Sequence, residues 1–88
     1  MRIERNEATR RFETEIDGKL GVLEYRMAGR SIVFTHTGVP PGIEGRGVAS
    51  ALTKAGLEYA RRQQLKVVPQ CPFVQEYLAK HSEYSDLV

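Results

Sequence analysis

The stretch Val39-Pro40-Pro41-Gly42-Ile43-Glu44-Gly45-Arg46-Gly47-Val48-Ala49 decides how this chain is read, because it carries a strand into a helix through prolines and glycines. Pro40 and Pro41 have no backbone N–H to give a sheet ladder, so the strand before them must end. Gly42, Gly45 and Gly47 then lead into a first helical turn, whose N–H groups have no intrahelical partner. Those donors and the positive end of the helix dipole favour an anion. Glycines at 45 and 47 let the backbone approach an oxyanion with no Cβ in the way, and successive N–H groups can converge as a nest. Arg46 adds charge from the loop rim. The plain alternative, a flexible strand-to-helix turn, is the commoner fate of an isolated Gly-x-Gly. Here strand, proline break, glycines and helix start occur in the order an anion-binding loop needs. The pattern is not the dinucleotide fingerprint, whose third glycine is missing, nor a Walker loop, since no Gly-Lys-Ser/Thr follows.

Downstream, Val48, Leu52, Ala55 and Tyr59 recur at i, i+4, i+7 and i+11 with Ala51 widening the stripe, which predicts a helix over Val48 to Gln64. Lys66 to Gln70 follows as a short apolar strand. Pro72 opens a second helix running to about Lys80, and Ser82 to Val88 is expected to be irregular. Upstream, Ser31 to Thr37 is rich in β-branched and aromatic residues, with Ile32, Phe34 and His36 on one face and Val33, Thr35 and Thr37 on the other. Before it, Ile3 to Asn6, Arg11 to Ile16 and Lys19 to Met27 read as an antiparallel meander. Asp17-Gly18 closes one hairpin, Ala28-Gly29-Arg30 makes the next turn, and Leu20, Val22 and either Met27 or Tyr25 supply apolar contacts. Strand 31–37, helix 48–64 and strand 66–70 form one crossover, so those strands are expected to be parallel. The predicted class is α+β, in the order β-β-β-β-α-β-α.

The chain of 88 residues has room for one domain, residues 1–88, and a modest core, because a chain this size buries only about 60–65% of its extended surface. Any ligand must sit at a sheet edge or between a few elements. A hydrophobic content of 41% with 27% charged residues indicates a globular protein rather than a disordered one. The net charge of +2 is weak for a nucleic-acid domain, although Arg10-Arg11 and Arg61-Arg62 are local basic pairs. It suits a small polyanion at least as well. Cys71 is the only cysteine, so no internal disulfide forms and a reducing, cytoplasmic setting is expected. Residues 1 to 15 lack an apolar core for a signal peptide, and no run approaches the roughly 20 apolar residues of a membrane span. The expected partners therefore include no nucleic acid and no membrane, and the expected state is a monomer or a weak dimer.

Glu44-Gly45-Arg46-Gly47-Val48-Ala49 resembles the Q/R-x-x-G-x-G/A motif of the GCN5-related N-acetyltransferases, which a helix follows there too. Val39-Pro40-Pro41, Val67-Val68-Pro69, Cys71-Pro72-Phe73-Val74 and Tyr84 with Asp86-Leu87-Val88 are similar to a short, single-domain branch of that family. The resemblance runs from about residue 31 to the end. It implies a minimal fold of this family that binds acetyl-CoA, with the strand ending near Thr37 and the strand Lys66–Gln70 splayed around the pantetheine arm. The cofactor-binding residues it implies are Thr37, Val39, Gly45, Arg46, Gly47, Val48, Ala49, Ser50 and Cys71. One departure concerns Glu44, which stands where the motif has Gln or Arg. A carboxylate there cannot donate to phosphate, so recognition would rest on backbone and Arg46.

Acetyl transfer to an amine needs a base, stabilisation of the developing oxyanion and a fate for the leaving thiolate. His36, at the carboxyl end of the key strand, is the candidate base, and its alternative role is packing or hydrogen bonding at the strand end. Glu24 on the neighbouring strand is a weaker candidate base, since an exposed strand Glu is usually solvated surface, and His81 reads as surface. Cys71 follows the second splayed strand and is the second candidate catalytic residue, either as a thiolate relay or as a small buried hydrophobe. Larger relatives place an Asn and, seven residues on, a Tyr that protonates the thiolate. The matching positions here are Cys71 and Leu78, with Tyr77 one residue off. Larger relatives also carry two helices after the first strand that wall the acceptor site. None is expected here, so the site should be open. Two functions follow: an N-acetyltransferase acting on an amine of a protein, peptide or small molecule, or a non-catalytic module that holds acyl-CoA. No metal site is indicated.

Overall fold

The computed structural model of the chain describes all 88 residues. Four strands, β1 (Glu4–Asn6), β2 (Arg11–Ile16), β3 (Lys19–Ala28) and β4 (Ser31–Gly38), precede α1 (Val48–Arg62), β5 (Lys66–Pro69) and α2 (Pro72–Lys80). The strands form one sheet in chain order, antiparallel from β1 to β4 and parallel between β4 and β5. This is the α+β order expected from the sequence. Asp17 and Gly18 both take positive φ, 53° and 73°, as a tight two-residue hairpin turn requires.

One face of the sheet carries the core. On β3 it is Gly21, Leu23 and Tyr25 that are buried, whereas Leu20 is 44% exposed. The expectation that Leu20 and Val22 make the apolar contacts is therefore corrected by one residue, which in a strand means the other face. α1 packs against this face. A side chain at Gly56 would meet ring carbons of Phe34 at 2.9 Å and Leu23 Cδ2 at 3.0 Å, so the helix approaches the sheet through its glycine. The helix buries Val48, Leu52, Thr53, Gly56, Leu57 and Ala60, a wider stripe than its apolar period suggests, and Ala55 and Tyr59 are only half-buried. The reason is that α1 packs on two sides, against the sheet and against α2 with the C-terminal segment. It ends two residues short of the expected Gln64, whose φ of 57° turns the chain toward β5.

The segment after α2 is not irregular. Ser82–Leu87 forms a 3₁₀ helix that buries Tyr84 and Leu87. The Tyr84 hydroxyl donates to Glu58 at 2.6 Å, and the Arg61 guanidinium donates to Asp86 at 2.9 and 3.1 Å. These partners belong to α1, and so the local sequence carries no periodic sign of the segment.

Two features of β4 shape the site. First, Glu24 pairs with His36 and Tyr25 with Phe34, which leaves Thr35 as an extra, bulged residue. The bulge shifts the alternation, so Phe34 and Thr37 share the core face while His36 lies with Glu24 on the opposite face. The expected grouping of His36 with Ile32 and Phe34 is thereby overturned. Second, the β4–β5 ladder ends at Phe34, whose carbonyl accepts from both Gln70 and Cys71 N–H at 3.1 and 2.9 Å. β4 runs on to Gly38 paired with β3 alone, because β5 ends at Pro69, the partner of Phe34. No helix is long and apolar enough to cross a membrane.

Candidate functional site

The loop between β4 and α1 has the backbone of an anion nest. Gly45 and Gly47 each have φ of 75°, while Glu44 and Arg46 between and before them are not in the positive region. Such alternation turns successive N–H groups toward one point. Glycine is required because side-chain-bearing residues pay about 1–2 kcal/mol there. At both positions an added Cβ would meet nothing within 4 Å, so the space above the backbone is open. Gly47 is the N-cap of α1 and no side chain caps the helix. The first intrahelical bond is Ala51 N–H to Gly47 C=O, at 3.0 Å, which leaves the N–H groups of Val48, Ala49 and Ser50 without an intrahelical acceptor.

The loop is braced rather than free. Ile43 is fully buried in the core. The β2–β3 hairpin tip reaches it twice: Arg46 Nη1 donates to Asp17 at 2.7 Å, and the Lys19 stem packs where a side chain at Gly42 would stand. Arg46 is thus turned toward the hairpin, and it does not line the cavity of about 250 Å³ that lies over the nest. That cavity is lined by Val39, Glu44, Gly45, Gly47, Val48, Ala49, Ser50 and Phe73. Phe73 was not singled out among the candidate ligands, although it belongs to the motif Cys71-Pro72-Phe73-Val74. Three roomier concavities, about 350, 340 and 280 Å³, lie away from the loop, and the first is lined by Glu4, Glu13 and Glu15 with Arg2. The glutamates suit no anion.

Beyond the end of the β4–β5 ladder, Thr37 Oγ1 and Cys71 Sγ lie 3.2 Å apart and join β4 to the start of α2. Thr37 owes this position to the bulge. Cys71 is the N-cap of α2 and only 4% exposed. His36 is exposed on the other face of the sheet and is not brought against Cys71.

Past Ser50 and Phe73 the cleft continues into a second cavity of about 160 Å³, lined also by Glu76, Tyr77, Lys80 and His81. The His81 ring stacks on Tyr77 with centroids 3.8 Å apart, and its Nδ1 lies 2.8 Å from the Tyr77 carbonyl. Burial pushes the Tyr77 hydroxyl pKa up, aided by Glu83 and Glu58. Tyr77 lines this outer cavity and not the loop cavity. No group of three or more His, Cys, Asp or Glu side chains is placed to hold a metal ion.

A nest at an uncapped helix start can receive an anion. The sequence profile of the GCN5-related N-acetyl-transferase family matches residues 11–87. Protein NATD1 of Mus musculus and of Homo sapiens are each 33% identical over 84 residues, covering 92% of this chain and 76% and 74% of theirs. A GCN5-like protein of Staphylococcus aureus, solved in solution by NMR, superposes with a TM-score of 0.75 at 31% identity, covering 98% of this chain and 85% of its own. With nearly the whole chain matched in sequence and in fold, this protein belongs to the GCN5-related N-acetyltransferase family.

Proposed function

We propose that residues 1–88 act as one acetyl-CoA-binding domain that transfers the acetyl group to an amine. The observation that carries the reading is the pair of positive-φ glycines at the uncapped start of α1, opening on a cavity walled by Val39 and Phe73. Backbone N–H groups from Gly45 to Ser50 hold the pyrophosphate, with Val39 and Val48 as apolar walls. Arg46, paired with Asp17 at 2.7 Å, braces the loop against the hairpin. The pantetheine arm runs from the nest toward the end of the β4–β5 ladder, which brings the thioester toward Thr37 and Cys71.

Acetyl-CoA supplies an acyl group already activated as a thioester; the chain supplies position and polarity. Beyond Phe34, backbone N–H groups on the β5 side of β4 have no strand partner, and they are the donors for the carbonyl oxygen as negative charge develops. His36, exposed on the uncovered sheet face, is the base for an amine arriving from that side. A C–N bond forms and the C–S bond breaks. The amine proton passes to His36, and the sulfur takes its proton from solvent, since Tyr77 lies at the outer cavity. Cys71, 4% exposed and bonded to Thr37, acts as a non-covalent contact to the thioester end. The open face suits a protein or peptide amine, and the free thiol suits a reducing, cytoplasmic setting.

Titration calorimetry with acetyl-CoA tests the reading. Binding in the micromolar range is expected, and Gly47→Ala is expected to weaken it by at least about tenfold, since the strain and the added methyl act at the nest. Absence of binding at high micromolar ligand would end the proposal. For catalysis, His36→Ala should slow acetylation of a peptide amine about a hundredfold or more with little change in acetyl-CoA affinity. One observation favours a second reading, a module that holds acyl-CoA without turnover: all helices pack on one face, leaving no wall for an acceptor. Acetylated product above the uncatalysed rate would exclude that reading.

A further inference from the structure

We infer that the outer cavity reads the 3′-phosphate of the coenzyme's adenosine through Lys80 and His81, so that the chain distinguishes CoA from 3′-dephospho-CoA. The inference rests on the acetyl-CoA reading and adds a specificity that the glycine loop cannot supply. The outer cavity shares Ser50 and Phe73 with the loop cavity. A ligand held at the nest that continues past the first turn of α1 therefore enters it next.

Charge is the first argument. The loop cavity itself holds an acidic side chain, Glu44, and the loop's own cation, Arg46, is committed to Asp17 at 2.7 Å. Among the residues lining the two cavities, Lys80 is the one permanent cation and His81 the one imidazole. Lys80 is exposed and makes no ion pair within the chain. Positive charge in this cleft is thus concentrated at the end away from the nest, and a ligand anionic at both ends matches that division.

Geometry is the second. His81 Nδ1 lies 2.8 Å from a carbonyl oxygen, which only accepts, so Nδ1 carries the proton and Nε2 is the free nitrogen. In the imidazolium form Nε2 donates as well. Stacking on Tyr77 holds the ring in place, so little side-chain freedom is lost when a ligand binds. A tetrahedral phosphate can accept from Lys80 Nζ and His81 Nε2 together, both charge-assisted bonds. Lys80 in the last turn of α2 also suits the helix dipole, but that role needs no cavity and no second donor. Glu76 in the same cavity opposes a phosphate at its own position, and there it can accept from the ribose 2′-hydroxyl or the adenine amino group. The half-buried ring of Phe73 offers the base a stacking face. One aromatic face, one acceptor, one cation and one imidazole fit an adenosine 3′-phosphate better than a bare phosphate.

Calorimetry on the whole chain with CoA and with 3′-dephospho-CoA tests this. The dephospho form is expected to bind at least about tenfold more weakly at low salt. Lys80→Gln should cut that ratio to about threefold and Lys80→Gln with His81→Gln should abolish it, while Gly47→Ala weakens both ligands alike. If the double variant unfolds early, the Lys80→Gln ratio decides, because Lys80 is exposed and unpaired. Equal affinity for the two coenzyme forms, or a ratio unchanged by Lys80→Gln, overturns the inference while leaving the acetyl-CoA reading standing. If neither form binds, the loop reading has failed and this one falls with it.

Discussion

At the scale of single residues, Thr37 and His36 are adjacent in sequence and occupy opposite faces of the sheet. Thr37 meets Cys71 at 3.2 Å on the core face, and His36 stands exposed beside Glu24 on the other. If both serve one reaction, they do so from the two sides of β4. Tyr84 gives a sharper prediction. Its buried hydroxyl donates to Glu58 at 2.6 Å, and that bond, with burial, pushes its pKa up to about 12. A raised folded-state value means that the bond's contribution is complete below the ordinary tyrosine value of about 10 and is lost as pH rises through the folded value. Tyr84→Phe is therefore expected to cost about 1 kcal/mol at pH 8. The gap in melting temperature between wild type and variant should close from about pH 10 upward. Thermal unfolding followed by circular dichroism from pH 8 to 11.5 checks this, and a gap independent of pH would contradict it. The Arg61–Asp86 bridge, which lowers the Asp86 pKa, is exposed and carries little stability.

At the scale of elements, α1 and β4 meet at a contact that only glycine permits. Gly56→Ala places a methyl 2.9 Å from two Phe34 ring carbons and 3.0 Å from Leu23, all fully buried. Overpacking of this kind costs about 1–3 kcal/mol, which outweighs the roughly 1 kcal/mol that alanine gains in helix propensity. A net loss is expected in urea unfolding, by a lower midpoint at unchanged slope. A gain in stability would show that α1 can shift outward at little cost. The bulge at Thr35 has the larger functional effect. Without it, strict alternation would put His36 on the core face with Phe34 and Thr37 on the opposite face, away from Cys71. Helix and strand identities follow from local composition: β-branched residues in 31–37, the apolar stripe in 48–62, and proline at the start of α2. The bulge does not, because it exists only in the pairing of β4 with β3.

At the scale of the molecule, sheet and helices form two layers, and the C-terminal segment completes the helical one. Tyr84 and Leu87 close over α1 and α2, so a chain ending at Lys80 is expected to lose about 3 kcal/mol or more, a fall in melting temperature of roughly 15 °C. Calorimetric unfolding of the shortened chain checks this, and an unchanged melting temperature would show that the segment only rests on the surface. The sequence by itself determined the element order, the crossover and the nest-forming loop. These depend on neighbours in the chain: prolines stop a strand, and Gly45 and Gly47 alone tolerate φ of 75° beside an uncapped helix start. Only the tertiary structure decided which face each β4 residue takes, that Arg46 turns to Asp17, that Ser82–Leu87 is helical, and that Lys80 and His81 extend the cleft. Each of these is set by a partner distant in sequence. A pattern of neighbours cannot encode a contact whose other half lies on a different element.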